Sequence, residues 1–475
     1  MTLDIPAFAG VALPASMQAN AWTGDDVTGQ LGDGKRWGIG GGALAAPVQF
    51  LRPPPEADPA DFRDERVGWG LVLPDSDDIP EARRACADDA PPPVQALVEA
   101  RRPAARVFRY RAGNATAVTS LRDYAAGKDV AISGSRAGVG DGKLPMYLLL
   151  YGGPDVLPWG LQYQLNAGRH VGRLHLTGDA LERYVTALLN DWAGSTACYD
   201  APVVWSVDHG GTDITALMRA QIAVKIAGRL QGDGEMPRVT FVDGGQTTAT
   251  RSKLSEALAA NSPMLVVTTS HGMTGPLDNR DQMAAALGLP VDGLRVTLDA
   301  GALLRSWQPD GAIWYAHACC SAGASSTNAF AGLVRDGSAV DQVLRGVAAI
   351  GSCVAPLPTA LLGAAMPARA FIGHVQPTFD WTLASPFTGQ PLTDSIVSAV
   401  YNGLCAGLPA GLAFRGPFGH IGELASANER AVEEFDQQVG ASDSVTAAVY
   451  TKLAWLDRQS TVILGDPTVR LTLPR

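Results

Sequence analysis

An imidazole and a thiol stand at the ends of two apolar runs near the middle of the chain. Pro263-Met264-Leu265-Val266-Val267-Thr268-Thr269-Ser270 leads into His271-Gly272, and Ala312-Ile313-Trp314-Tyr315-Ala316-His317-Ala318 leads into Cys319-Cys320-Ser321-Ala322-Gly323. A thiol attacks a carbonyl as its thiolate, or with a base that takes its proton during the encounter. Imidazole suits that base because its ordinary pKa lies near neutrality. The tetrahedral intermediate then needs donors for its oxyanion, commonly backbone N–H groups. Glycine at 272 lets a substrate approach the backbone, and Ser321, Ala322 and Gly323 leave room beyond the thiol. The pair reads as a cysteine–histidine dyad. Strand alternation points Cys319 and Cys320 to opposite sides, so one of them faces the cleft.

Both runs have the character of buried strands, which deliver their last residues to the rim of a sheet, where open α/β folds place their sites. Segments 146–151, 202–207, 239–242, 264–269, 313–316, 347–350 and 462–464 read as such strands. Between them, Leu181, Tyr184, Val185, Leu188, Leu189 and Trp192 repeat at the spacing of one helical face, behind a capping box at Asp179-Ala180-Leu181-Glu182. Residues 214–230 predict a second helix, capped by Thr212 or Asp213, and 253–260, 329–335 and 392–404 predict others. Strands alternating with helices give an α/β fold with a doubly wound, mostly parallel sheet flanked by helices. Residues 1–64, with Gly38-Ile39-Gly40-Gly41-Gly42 and Pro53-Pro54-Pro55, read as an irregular Gly/Pro-rich N-terminal segment.

The motifs resemble the caspase/gingipain/legumain superfamily of cysteine peptidases, marked by a strand ending in His-Gly and a later one ending in Ala-Cys-x-[Ser/Gly/Asn]-[Gly/Ala]. Here they read Thr269-Ser270-His271-Gly272 and Ala318-Cys319-Cys320-Ser321-Ala322. The gingipain-like branch is the most similar, because Tyr147-Leu148-Leu149-Leu150-Tyr151-Gly152-Gly153-Pro154-Asp155, Val171-Gly172-Arg173-Leu174 and Leu464-Gly465-Asp466-Pro467 resemble its flanking signatures. The resemblance covers roughly residues 140–475 and implies a caspase-like fold of two side-by-side subdomains, a non-catalytic one over 65–200 and a catalytic one over 201–475. It selects Cys319, which directly follows alanine, as nucleophile, with His271 as base and the Gly272 and Cys319 amides as oxyanion donors. It also implies cleavage after arginine or lysine. Ser206-Val207-Asp208-His209-Gly210-Gly211-Thr212-Asp213 is similar to the stretch that orients the histidine and floors the specificity pocket, although its loop is shorter. On that likeness Asp208 orients His271, Asp213 binds the basic residue, and Trp381 in Asp380-Trp381-Thr382 lines the same pocket. An aspartate opening a helix is equally a common N-cap.

Composition narrows the alternatives. The 475-residue chain is 46% apolar with a formal net charge of −10, which supplies an ample core and argues against nucleic acid as a partner. The start, Met1-Thr2-Leu3-Asp4-Ile5-Pro6, lacks the basic and apolar regions of a signal peptide, and no run approaches a membrane span. The six cysteines show neither metal-ligand nor disulfide-framework spacing. These features predict a cytoplasmic chain away from membranes, without a metal site; the resemblance adds the expectation of a peptidase without cofactor, acting on a protein or peptide substrate and held in check until an activator or regulatory partner releases it. The rival reading is a catalytically inactive caspase-like scaffold or binding module.

Overall fold

Short runs of Val, Leu, Ile and aromatic residues, bounded by Gly, Pro or Asp, become the strands of a 12-stranded sheet in the computed structural model of the chain. The structure describes residues 16–22, 26–30, 56–111, 119–211, 213–385, 387–437 and 441–473. The strands are β1 Trp69–Pro74, β2 Ala105–Tyr110, β3 Ser120–Asp123, β4 Lys128–Ala131, β5 Tyr147–Tyr151, β6 His170–Leu174, β7 Val203–Ser206, β8 Thr240–Asp243, β9 Leu265–Thr269, β10 Ile313–His317, β11 Ala370–His374 and β12 Thr461–Gly465. Their spatial order is β8-β7-β9-β10-β11-β12-β6-β5-β1-β2-β3-β4. All belong to one unit, Asp58–Arg475; in the separate unit before it, Ser16–Trp22 pairs antiparallel with Asp26–Gln30.

Strand β12 is the seam of the sheet. It runs antiparallel to β11 and parallel to β6, so β7 to β11 point one way and β12, β6, β5, β1 and β2 the other. Every sheet strand before residue 200 lies on one side of the seam, and every strand from 203 to 374 on the other. Two of the flanking signatures meet there. A side chain at Gly172 would overlap the carbonyl oxygen of Gly465. Arg173 is fully buried, bonds Gln162 and the Gly152 carbonyl, and lies over the Trp159 ring. Asp466 is also buried and accepts from Trp69 Nε1 at 3.1 Å, with Arg101 at 3.3 Å. Tyr184 Oη donates to the Arg369 carbonyl and accepts from Asp466 N–H, stitching a helix to both halves.

Several predicted elements take other forms. Residues 347–350 end the helix Ala339–Ile350 instead of forming a strand: Ser338 caps it, and Leu344 and Val347 are buried one turn apart. The strand beside β10 is β11, whose five residues are all buried. Segment 329–335 forms turns, and 214–230 is interrupted by a π-helical stretch at Arg219–Ala223. Thr177, not the predicted box, precedes Gly178–Leu189, and its side chain makes no capping bond. The largest unforeseen element is the helical hairpin Arg415–Asp436 and Ala441–Gln459, whose first helix opens with the glycine- and proline-interrupted Arg415-Gly416-Pro417-Phe418-Gly419. Among the described residues no helix is long and apolar enough to cross a membrane.

Candidate active site

Strands β9 and β10 lie side by side and parallel, in a register that sets Thr269 opposite His317. Each chain leaves the sheet at this edge, so His271 and Cys319 emerge two residues beyond the same paired position. Ser270 N–H donates to the His317 carbonyl at 3.3 Å, carrying the alignment past the sheet. A side chain at Gly272 would overlap the Cys319 carbonyl oxygen, so the two motifs touch through their backbones. Glycine at 272 is therefore a steric requirement of this close approach.

The two adjacent cysteines have separate fates. Cys320 adopts a φ of 55°, and its side chain is fully buried in a cluster with Leu287, Ala324 and Val347. Cys319 is partly exposed. Its Sγ accepts a hydrogen bond from Thr378 N–H at 3.3 Å. The sulfur nevertheless lies among packed atoms, and burial pushes the thiol up to about 11 against the pull of that N–H. Such a thiol rests protonated at neutral pH, so any nucleophilic role requires a base to take its proton on attack.

The imidazole is held by Asp213. His271 Nε2 lies 3.1 Å from both Asp213 carboxylate oxygens, and Nδ1 has no hydrogen-bond partner among the described residues. Asp213 also caps its helix, accepting from Thr215 N–H at 2.9 Å and from the Thr215 hydroxyl. Burial works against its charge, but the Thr215 donors and His271 outweigh it and hold the carboxyl down at about 2. The His209 ring stacks on His271 with centroids 5.7 Å apart and planes 18° apart. This arrangement corrects two expectations. Asp208 does not reach the imidazole; its carboxylate accepts from Gly210 N–H at 2.8 Å and faces Arg219 at 3.8 Å. Asp213, expected to floor a specificity pocket, holds His271, the role expected of Asp208, while also lining the cleft. The cause is the backbone path: Gly210 and Gly211 both take left-handed φ values, 75° and 60°, turning the chain so that the later aspartate arrives at the ring.

A cleft of about 490 Å³ opens between the start of the Asp213 helix and the segment after β11, lined by Asp213, Ile214, Leu217, Thr378, Phe379 and Asp380 among others. Its two walls carry the partner of each dyad member: Asp213 binds His271, and Thr378 binds Cys319. Asp380 is exposed and makes no side-chain hydrogen bond or ion pair. Trp381, expected in this wall, lies beyond it against Tyr450, with ring centroids 6.1 Å apart. The segment's short 3-10 turn, Asp380–Thr382, presents neighbouring residues in different directions, which brings Asp380 to the cleft and Trp381 to another cavity.

Sequence spacing offered no signal for the residue that fixes this wall. Asp457, on the second hairpin helix, is buried and accepts from Thr382 Oγ1 at 2.6 Å, Phe379 N–H at 3.1 Å and Thr378 Oγ1 at 3.3 Å. Its other oxygen has no partner. Burial outweighs these donors and pushes the carboxyl up to about 6. The fold therefore favours the protonated form: this contribution to stability is full below the ordinary value near 4 and is lost as pH rises through about 6. Asp457→Asn should flatten the change in urea midpoint between pH 4 and 7. Asp457→Ala, which takes the acceptor from the Phe379 amide and the Thr378 hydroxyl, should cost about 1–3 kcal/mol across that range. Parallel urea titrations of the two variants check both expectations.

Behind Cys319, His317 lies 3.2 Å from His374 and 3.0 Å from the Tyr315 hydroxyl. Burial holds both imidazoles below their ordinary range, so they are neutral structural partners. Among the described residues no group of three or more His, Cys, Asp or Glu side chains is placed to hold a metal ion. The site so defined is a thiol with an aspartate-held imidazole at the edge of a mostly parallel α/β sheet. No protein-family model matches the chain, and no curated protein matches it.

Proposed function

We propose that this protein is a cysteine endopeptidase with a caspase-like fold, closest to the gingipain-like branch, that cuts a protein substrate after arginine or lysine. The observation that carries the reading is the shared cleft whose walls hold the partners of Cys319 and of His271. His271, oriented by Asp213, takes the Cys319 proton as the sulfur attacks the scissile carbonyl; the backbone amides of Gly272 and Cys319 receive the oxyanion. Loss of the amine and attack by water then complete hydrolysis through an acyl-enzyme. With Asp213 committed to the imidazole, Asp380 is the carboxylate left to pair with a basic side chain in the cleft, an interaction strengthened when arginine binds it in bidentate fashion. The substrate is an intracellular protein, and the enzyme is restrained until a trigger such as autoprocessing or an activator partner releases it, as in a bacterial defence or cell-death system.

Cleavage of a peptide library by the purified chain tests the specificity. Arg or Lys should precede the cut, and Asp380→Ala should lower kcat/KM for those peptides by about 10–100-fold while sparing the fold. A preference for an acidic residue, or an Asp380→Ala variant as active as the parent, would overturn the assignment of the cleft. The buried, high-pKa thiol favours a second reading, an inactive scaffold. A peptide-directed acylating probe separates the two, because the scaffold leaves Cys319 unlabelled.

A further inference from the structure

On the far side of the 378–382 segment from the catalytic cleft lies a second cavity, of about 420 Å³, within the range that holds small organic ligands. It opens between Trp381 with residues 391–395 and the helical hairpin, and it shares no lining residue with the cleft. Its wall combines two features. Trp381 and Tyr450 line it with their ring planes tilted at 40° to each other, and Arg458 lines it as well.

The guanidinium is the unusual part. Arg458 is only partly exposed, and no carboxylate among the described residues lies within ion-pair distance of it. Its Nη2 donates to the Thr382 carbonyl at 3.1 Å and the Leu392 carbonyl at 2.7 Å, while Nε and Nη1 have no hydrogen-bond partner among the described residues. The adjacent Asp457 carboxylate acts on Arg458 only through space, and accepts its hydrogen bonds from the 378–382 segment. The two carboxylates at the cavity rim are already engaged, Glu423 by His420 at 2.9 Å and Asp394 by Lys225 at 3.3 Å. A half-buried cation that is held in place by carbonyls, with two of its nitrogens still unbonded among the described residues, can take an anion, and guanidinium binds carboxylate or phosphate through paired N–H groups. Aromatic walls beside it suit a flat apolar body.

We infer that this cavity is a second ligand site, which takes an organic anion, carboxylate or phosphate, carried on a flat ring, with the charge on Arg458 and the ring against Trp381 and Tyr450. The inference does not depend on the peptidase reading, since it concerns binding alone. Isothermal titration of the full chain with 2-naphthoate, 2-naphthyl phosphate and the uncharged 2-naphthalenemethanol tests it, with Cys319 carboxamidomethylated to keep the catalytic thiol out of the measurement. At least one anion should bind at one site per chain and about tenfold or more tighter than the alcohol, and the tighter of the two identifies the headgroup. Arg458→Gln should remove that advantage, and Trp381→Ala, which leaves the carbonyl clamp intact, should weaken the anion by about tenfold. If thermal melting shows Arg458→Gln to be unfolded, Trp381→Ala and the anion-to-alcohol ratio decide the matter. Equal binding of alcohol and anions, no binding at millimolar concentration, or affinities unchanged in a folded variant would overturn the site.

Discussion

Replacing Cys319 by Ala should abolish peptide cleavage, with a fall of about 10³–10⁶-fold, while Cys320→Ala should keep most of the activity. The contrast is large because the neighbouring sulfurs have different surroundings. Cys320 packs among Leu287, Ala324 and Val347, so its truncation acts through stability, at a cost of about 1 kcal/mol. Cys319 meets Thr378 N–H beside the cleft and is the thiol with solvent access. The pH dependence of its reactivity is distinctive. With the thiol pushed up to about 11, alkylation of the resting protein by iodoacetamide should keep climbing through pH 9, as the small thiolate fraction grows. A resting thiolate–imidazolium pair would instead plateau in mildly acidic solution. A plateau below pH 7, or cleavage that survives in Cys319→Ala, would remove this sulfur from the mechanism.

The second large effect belongs to Asp213. Asp213→Asn should lower kcat by about 10²–10⁴-fold, because the imidazole loses the anion that fixes its tautomer and stabilises its protonated form. The same substitution should leave the melting temperature nearly unchanged, since asparagine caps a helix about as well as aspartate. Asp213→Ala should additionally cost about 1 kcal/mol of stability through loss of the cap to Thr215. Asp208→Asn should stay within about twofold of the parent activity, because that carboxylate faces Arg219 and not the ring. Equal losses in Asp208→Asn and Asp213→Asn would show that the imidazole changes partner when substrate binds. The sign of the acid dependence follows from the depressed carboxyl. Asp213 contributes stability above its ordinary value near 4, and that contribution is lost as pH falls through about 2. The urea midpoint of Asp213→Asn should therefore fall less than that of the parent between pH 5 and 2, as read by far-UV circular dichroism.

The ends of β9 and β10 were legible in the amino-acid order, because a buried strand needs only a short apolar run and stops where polar chemistry begins. Their His-Gly and Ala-Cys termini follow directly, and the α/β alternation between residues 146 and 317 follows from the same local signals. Four strands of the seam's far side, β1 to β4, gave no comparable signal, since β3 alternates half-buried with buried residues, β4 buries only Val130, and β1 and β2 sit among proline-rich connections. The hairpin at 415–459 stayed hidden behind its glycines and proline, which its packing tolerates.

Local pattern determined which residues carry chemistry; tertiary structure decided which of them meet. Two aspartates five positions apart compete for one imidazole, and the choice between them rests on left-handed turns at Gly210 and Gly211 that no periodicity encodes. Thr378 reaches Cys319, and Asp457 reaches Thr378, only because β10, β11 and β12 are neighbours in the sheet. Hydrogen bonds of that reach are fixed by strand order and register, which arise from the burial of the whole sheet and are absent from any single stretch of sequence.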